Sequence, residues 1–68
     1  MKEYRDSRKM LRLLERDGWR IAHQVGSHIQ LKHPTKKNRV TVPHPQKDTP
    51  LGTVKNILKQ AEIEVEGD

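Results

Sequence analysis

Gln24-Val25-Gly26-Ser27-His28-Ile29-Gln30-Leu31-Lys32-His33-Pro34 is the stretch on which the fold turns. Gly26-Ser27 is a two-residue hairpin signal, because tight turns that match strand twist need a positive φ that glycine adopts at little cost. After it the chain alternates. Ile29 and Leu31 fall on one side, and His28, Gln30 and Lys32 on the other. His33-Pro34 ends the run, since proline donates no hydrogen bond to a continuing ladder.

On the N-terminal side of the turn, residues 19–24 alternate as well, with Trp19 and Ile21 against Arg20, Ala22 and Gln24. On the C-terminal side, Pro34-Thr35-Lys36-Lys37-Asn38 reads as a polar, basic turn. Arg39-Val40-Thr41-Val42 follows as a third short strand, stopped by Pro43 and Pro45. Connections this short can only join antiparallel neighbours. The strands therefore form a meander.

Two amphipathic segments flank it. Met10, Leu11, Leu13 and Leu14 recur at helical spacing within a helix expected over residues 7–17, with Ser7 or Asp6 as its N-cap and Gly18 as its left-handed terminator. Leu51, Val54, Ile57, Leu58 and Ala61 form a second stripe. Thr49 is expected to cap that helix, Pro50 to open it, and Gly52 to weaken its first turn so that it starts nearer Thr53. The expected class is α+β, in the order α-β-β-β-α. Both helices should cover the sheet face built from Trp19, Ile21, Ile29, Leu31, Val40 and Val42. Period-two parity then leaves Arg20, Gln24, His28, Gln30, Lys32, Arg39 and Thr41 on an open, solvated face, and places His23 at the edge of the core face.

At 68 residues the chain is expected to form one domain, 1–68, with residues 1–6 and 64–68 as loose ends. Only 31% of it is hydrophobic and 34% is charged, so the thin core depends on where apolar residues fall rather than on their number. No residue is cysteine, which removes disulfides, thiol nucleophiles and the usual structural zinc sites. The four histidines lack metal-binding spacing, and neither a metal nor another cofactor is expected. The charged start lacks a signal-peptide core, and no apolar run approaches the roughly 20 residues of a membrane span. The expected location is cytoplasmic.

Charge is unevenly spread. Residues 1–61 carry all 14 Lys and Arg against five acids, a balance of +9, and the last four acids lie in the tail. That balance suits a polyanion such as RNA or DNA, or an acidic protein; the plain alternative is a solvated, self-repelling surface. Aromatics make up 3%, too few for a base-stacking platform.

His28 is the candidate for chemistry. An imidazole titrating near neutrality can take a proton from a ribose 2′-OH or give one to a leaving 5′-oxygen, with lysine or arginine offsetting charge on the phosphorane. Taken by periodicity alone, it is an ordinary exposed strand histidine. The second acid/base group has no obvious owner, although Lys32 could assist and His44 could approach from its loop. RNA contacts are assigned to Arg20, Gln24, Ser27, Gln30, Lys32, Lys36, Lys37 and Arg39. His33 and His44 read as local features of pre-proline backbone, and Glu15, Asp17 and Asp48 as surface or capping residues.

Several blocks, taken in order, resemble the HicA (YcfA-like) toxin family. They are Leu13-Leu14-Glu15-Arg16-Asp17-Gly18-Trp19, Gly26-Ser27-His28, Lys32-His33-Pro34, Val40-Thr41-Val42-Pro43-His44-Pro45 and Gly52-Thr53 with Ile57-Leu58-Lys59-Gln60-Ala61. No block is decisive alone, but the ordered set is specific and spans about residues 7–63. The resemblance implies a fold like the double-stranded-RNA-binding domain. It also implies an mRNA interferase, the toxin of a type II toxin–antitoxin pair, neutralised by a HicB antitoxin. The histidine of the family's Gly-Ser-His motif is catalytic and corresponds to His28. Leu31 departs from the family pattern, which often has an aromatic there. Two other readings remain open on the residues alone: a non-catalytic RNA-binding module of the same fold, and a basic interaction domain for an acidic protein.

Overall fold

The computed structural model describes residues 1–65. A 3-10 turn at Lys2–Arg5 leads into helix α1, Ser7–Arg16, followed by strands β1, Arg20–Val25, β2, His28–Lys32, and β3, Val40–Pro43, and then helix α2, Leu51–Gln60. The strands form one antiparallel sheet in the order β1-β2-β3. The α-β-β-β-α order and α+β class agree with the sequence expectation. Among the described residues no helix is long and apolar enough to cross a membrane.

The two helices end in the same way. Trp19 N–H donates to Leu14 O at 3.0 Å and Gly18 N–H to Glu15 O at 3.1 Å; Ile63 N–H donates to Leu58 O at 3.0 Å and Glu62 N–H to Lys59 O at 3.1 Å. Each is a paired closure of a helix C-terminus around a left-handed residue. Gly18 fills that position in α1 with φ +105°, whereas Glu62 fills it in α2 with φ +56°. The closure of α1 turns the chain so that Trp19 enters the core, fully buried.

The start of α1 agrees with one of the two expected caps, and the start of α2 differs from expectation. Asp6 caps α1, its carboxylate accepting from Arg8 N–H at 3.0 Å. Ser7 lies one residue inside and is buried. Helix α2 begins at Leu51, with Pro50 rather than Thr49 at the cap position and no side chain capping it. Thr49 is instead buried, and its main chain is paired with Arg5: Thr49 N–H donates to Arg5 O, and Arg5 Nε–H to Thr49 O, both at 3.0 Å. Residues 1–6 are therefore no frayed lead-in, and Met1 and Tyr4 pack against the core. At the other end Ile63 and Val65 also pack against it, which corrects the expectation of a loose tail from residue 64. That expectation for residues 66–68 lies outside the described residues.

The core lies between the helices and the inner face of β2 and β3, where Met10, Leu14, Leu31, Val40 and Val54 are essentially inaccessible. Both helices pack on β3. Strand β1 is an edge strand, and all six of its residues are exposed. Ile21, expected in the core, is 54% exposed although it pairs with the buried Leu31. Its side chain lies on the inner face, but beyond the reach of the helices.

Candidate active site

The Gly26-Ser27 turn joins β1 to β2 with Val25 opposite His28. Of these two turn residues only Gly26 has a positive φ, +57°, as a type II′ loop requires of its first central residue. Ser27 is exposed, and its carbonyl accepts from the backbone N–H of His44 at 2.7 Å, so the turn is tied to the chain just past β3.

Side chains directly opposite one another in an antiparallel pair share a face. His28 pairs with Val25 and Pro43; Gln30 pairs with His23 and Thr41; Lys32 pairs with Arg20. These residues define the open face. His28 is exposed there, as expected, and Gln30 is half-buried.

The register corrects two placements. Strand β1 carries a bulge between Ile21 and His23, so Ala22 has no partner and the alternation shifts by one residue. Gln24 therefore sits opposite Ile29, on the inner face, and not on the open one. Its side-chain amide donates to Gly26 O at 3.4 Å. His23 moves the other way and lies opposite Gln30 on the open face, among the candidate residues. Parity counted from Trp19 hides this; register counted back from a two-residue turn would have shown it.

Two more side chains are turned away from the open face. Lys36 was assigned to RNA, but its ammonium donates to Asp17 Oδ2 at 2.6 Å, Ala61 O at 2.9 Å and Glu62 O at 3.2 Å, clamping the ends of both helices. A cation at helix C-termini is favoured by the exposed carbonyls there. The guanidinium of Arg20 donates to Trp19 O at 3.0 Å and Glu15 O at 3.4 Å. Arg20 and Lys32 nevertheless flank an open depression of about 500 Å³ with Gly18, His33 and Pro34. Lys37 and Arg39, before β3, are exposed, with no side-chain bond among the described residues.

The four histidines divide into two pairs. The His33 ring is a hub. Its Nε2 lies 2.7 Å from Asp17 O, while Nδ1 accepts from Thr35 N–H at 3.1 Å and Lys36 N–H at 3.2 Å. Because those backbone groups can only donate, Nε2 carries the hydrogen and donates to the carbonyl. The ring also packs edge-on against Trp19, with centroids 5.2 Å apart. Nδ1 of His44 lies 2.7 Å from Ser7 Oγ, so one nitrogen of its ring is engaged by α1. His23 and His28 have no side-chain bond among the described residues. Nor do any three His, Cys, Asp or Glu side chains among those residues come together as a metal site would require.

What the fold and this face define is a small basic α+β protein with two exposed imidazoles that no described side chain engages, on one face of its sheet. The family model described as HicA toxin of bacterial toxin-antitoxin matches residues 7–63. The chain belongs to the HicA toxin family, and its role is that of the toxin in a toxin–antitoxin system. No curated protein matches the chain.

Proposed function

We propose that this toxin is an endoribonuclease, an mRNA interferase, that cleaves RNA without a metal ion and uses His28 for proton transfer. In that reaction the ribose 2′-oxygen loses its proton and bonds to the adjacent phosphorus. The bond from phosphorus to the 5′-oxygen breaks, and the leaving oxygen takes up a proton. The products are a 2′,3′-cyclic phosphate and a 5′-hydroxyl. Imidazole suits both proton transfers near neutral pH.

The observation that carries this reading is the contrast among the histidines. His33 and His44 are held by named partners, whereas His28 is exposed at the head of β2 with its imidazole unengaged among the described residues. Lys32 shares its face, and Lys37 and Arg39 supply further cations from the approach to β3. Gln30 and Ser27 offer neutral hydrogen-bonding groups beside it. Cations so placed hold a phosphodiester and offset the charge that builds on phosphorus. A HicB-type antitoxin would neutralise the toxin by covering His28 and these neighbours.

The test is to induce the wild type and His28→Ala in bacteria and map the ends of cellular mRNA. The expected result is growth arrest and new RNA ends with the wild type only, and cleavage by the purified wild type that persists in EDTA. Equal RNA binding by both proteins, with cleavage by neither, would reduce the protein to an RNA-binding module. Failure to bind or cleave RNA, with co-purification of an acidic protein, would favour an interaction domain.

A further inference from the structure

We infer that His23 is the second proton-transfer group of this site, acting as a pair with His28 across the β1–β2 ladder. The inference rests on the ribonuclease reading above and adds to it the residue that reading lacks. Cleavage through the 2′-hydroxyl moves two protons on opposite sides of phosphorus, one away from the attacking oxygen and one to the leaving oxygen. A single imidazole cannot serve both positions at once.

The bulge is what makes the pair. With Ala22 unpaired, His23 stands opposite Gln30 and Val25 opposite His28, so the two histidines are diagonal neighbours on one face. Diagonal neighbours in an antiparallel pair lie about 7–8 Å apart. A phosphate set between them is within the ~2.6–3.2 Å hydrogen-bond reach of an imidazole nitrogen on either side. Neither ring is engaged by another side chain among the described residues, and both residues are exposed. Of the other charged residues that register places on this face, Lys32 is a cation, and Arg20 turns its guanidinium aside to Trp19 O and Glu15 O. No carboxylate among the described residues is paired onto it to compete for the phosphate or to hold either imidazole. Gln30 and Thr41 continue the His23 row across the sheet, where an amide and a hydroxyl can hold non-bridging phosphate oxygens.

The remaining candidates for the second group are weaker. The His44 ring is bonded to Ser7, and His33 is used on both ring nitrogens. Lys32 is on the correct face, but it stands four residues along β2 from His28, twice as far along the strand as the Gln30 row that His23 joins.

The experiment uses the purified full chain, an in vitro transcribed mRNA as first substrate, and a short RNA made from a cut site mapped on it. His23→Gln, His28→Ala and, as a control on the inner face of the same strand, Gln24→Ala are compared with the wild type. Circular dichroism checks that each variant is folded. His23→Gln is expected to lower kcat by on the order of 10²-fold or more, with KM little changed, and to remove one limb of the pH–rate profile. The short RNA is then made with sulfur in place of the leaving 5′-oxygen. A thiolate leaves without a proton, so cleavage should be restored to whichever of the two histidine variants has lost the acid and not to the other. A His23→Gln enzyme with wild-type kcat, or with a raised KM and both pH limbs intact, overturns the pair while leaving His28 as proposed. Undiminished cleavage by His28→Ala removes His28 from the chemistry and the pair with it, whereas no cleavage by the wild type removes the ribonuclease reading itself.

Discussion

The Ser7 hydroxyl lies 2.7 Å from Nδ1 of His44 and also accepts the backbone N–H of Gln46 at 2.9 Å. Ser7 returns its own N–H to Gln46 O at 2.8 Å, and His44 N–H reaches Ser27 O. One buried hydroxyl in the first turn of α1 thus braces the segment that holds the Gly26-Ser27-His28 turn. Ser7→Ala would leave an imidazole nitrogen and an amide without their protein partner. The expected loss is about 1–3 kcal/mol of unfolding free energy. An unchanged urea midpoint would show that the hydroxyl is not bracing the segment.

Gly18 and Glu62 hold equivalent positions at the two helix ends, and they should respond oppositely to substitution. A Cβ on Gly18 would lie 2.8 Å from Nε2 of His33, on a backbone at φ +105° that side chains rarely adopt. Gly18→Ala is expected to cost about 1–3 kcal/mol and to disturb the His33 hub. Glu62 already bears the strain of a left-handed φ, so Glu62→Gly should stabilise the protein by up to about 1 kcal/mol. Thermal melts of both variants decide the matter, and a Glu62→Gly protein that melts earlier than wild type would contradict it.

Lys36 and Lys37 are adjacent in sequence and should separate cleanly by assay. Lys36→Gln breaks the clamp on Asp17, Ala61 O and Glu62 O, and should cost about 1–2 kcal/mol of stability. Lys37→Gln should leave stability within about 0.5 kcal/mol of wild type. If Lys37 meets a phosphate, its loss should lower the salt dependence of RNA binding by about 0.7 in the log–log slope for a single strand. The same salt slope for wild type and Lys37→Gln would remove Lys37 from the interface.

Ile21 and Ile29 test the edge of the core. Ile21→Thr on the uncovered edge strand should change stability by no more than about 0.5 kcal/mol. Ile29→Ala, at a position only 3% exposed, should cost about 2–5 kcal/mol. Urea titrations showing equal losses would mean that the helices cover β1 after all.

Much of this fold is written in local rules. Pro34 ends β2 because it cannot donate to a ladder, Gly26-Ser27 turns the chain because glycine accepts a positive φ, and the two apolar stripes read as helices from their spacing. The exposure of His28 follows from the same short-range alternation. The roles of Lys36, Thr49 and the first six residues could not be read this way. Their partners are distant in sequence: Lys36 reaches Ala61, Thr49 pairs with Arg5, and Met1 and Tyr4 pack against a core contributed by the whole chain.

The sequence by itself determined the order of elements, the hairpin and the exposure of His28. Tertiary structure decided which of two phases each part of β1 follows, the one counted from Trp19 or the one counted back from the turn. Two constraints meet in that strand: the closure of α1 sends Trp19 into the core, and the two-residue turn sets His23 opposite Gln30. Counted from these two ends, the alternation differs by one residue. The chain absorbs the difference as a bulge at Ala22, which moves Gln24 off the open face and His23 onto it. Alternation is a local property, but its phase is set by whatever anchors each end of the strand, and one of those anchors is the packing of the whole core.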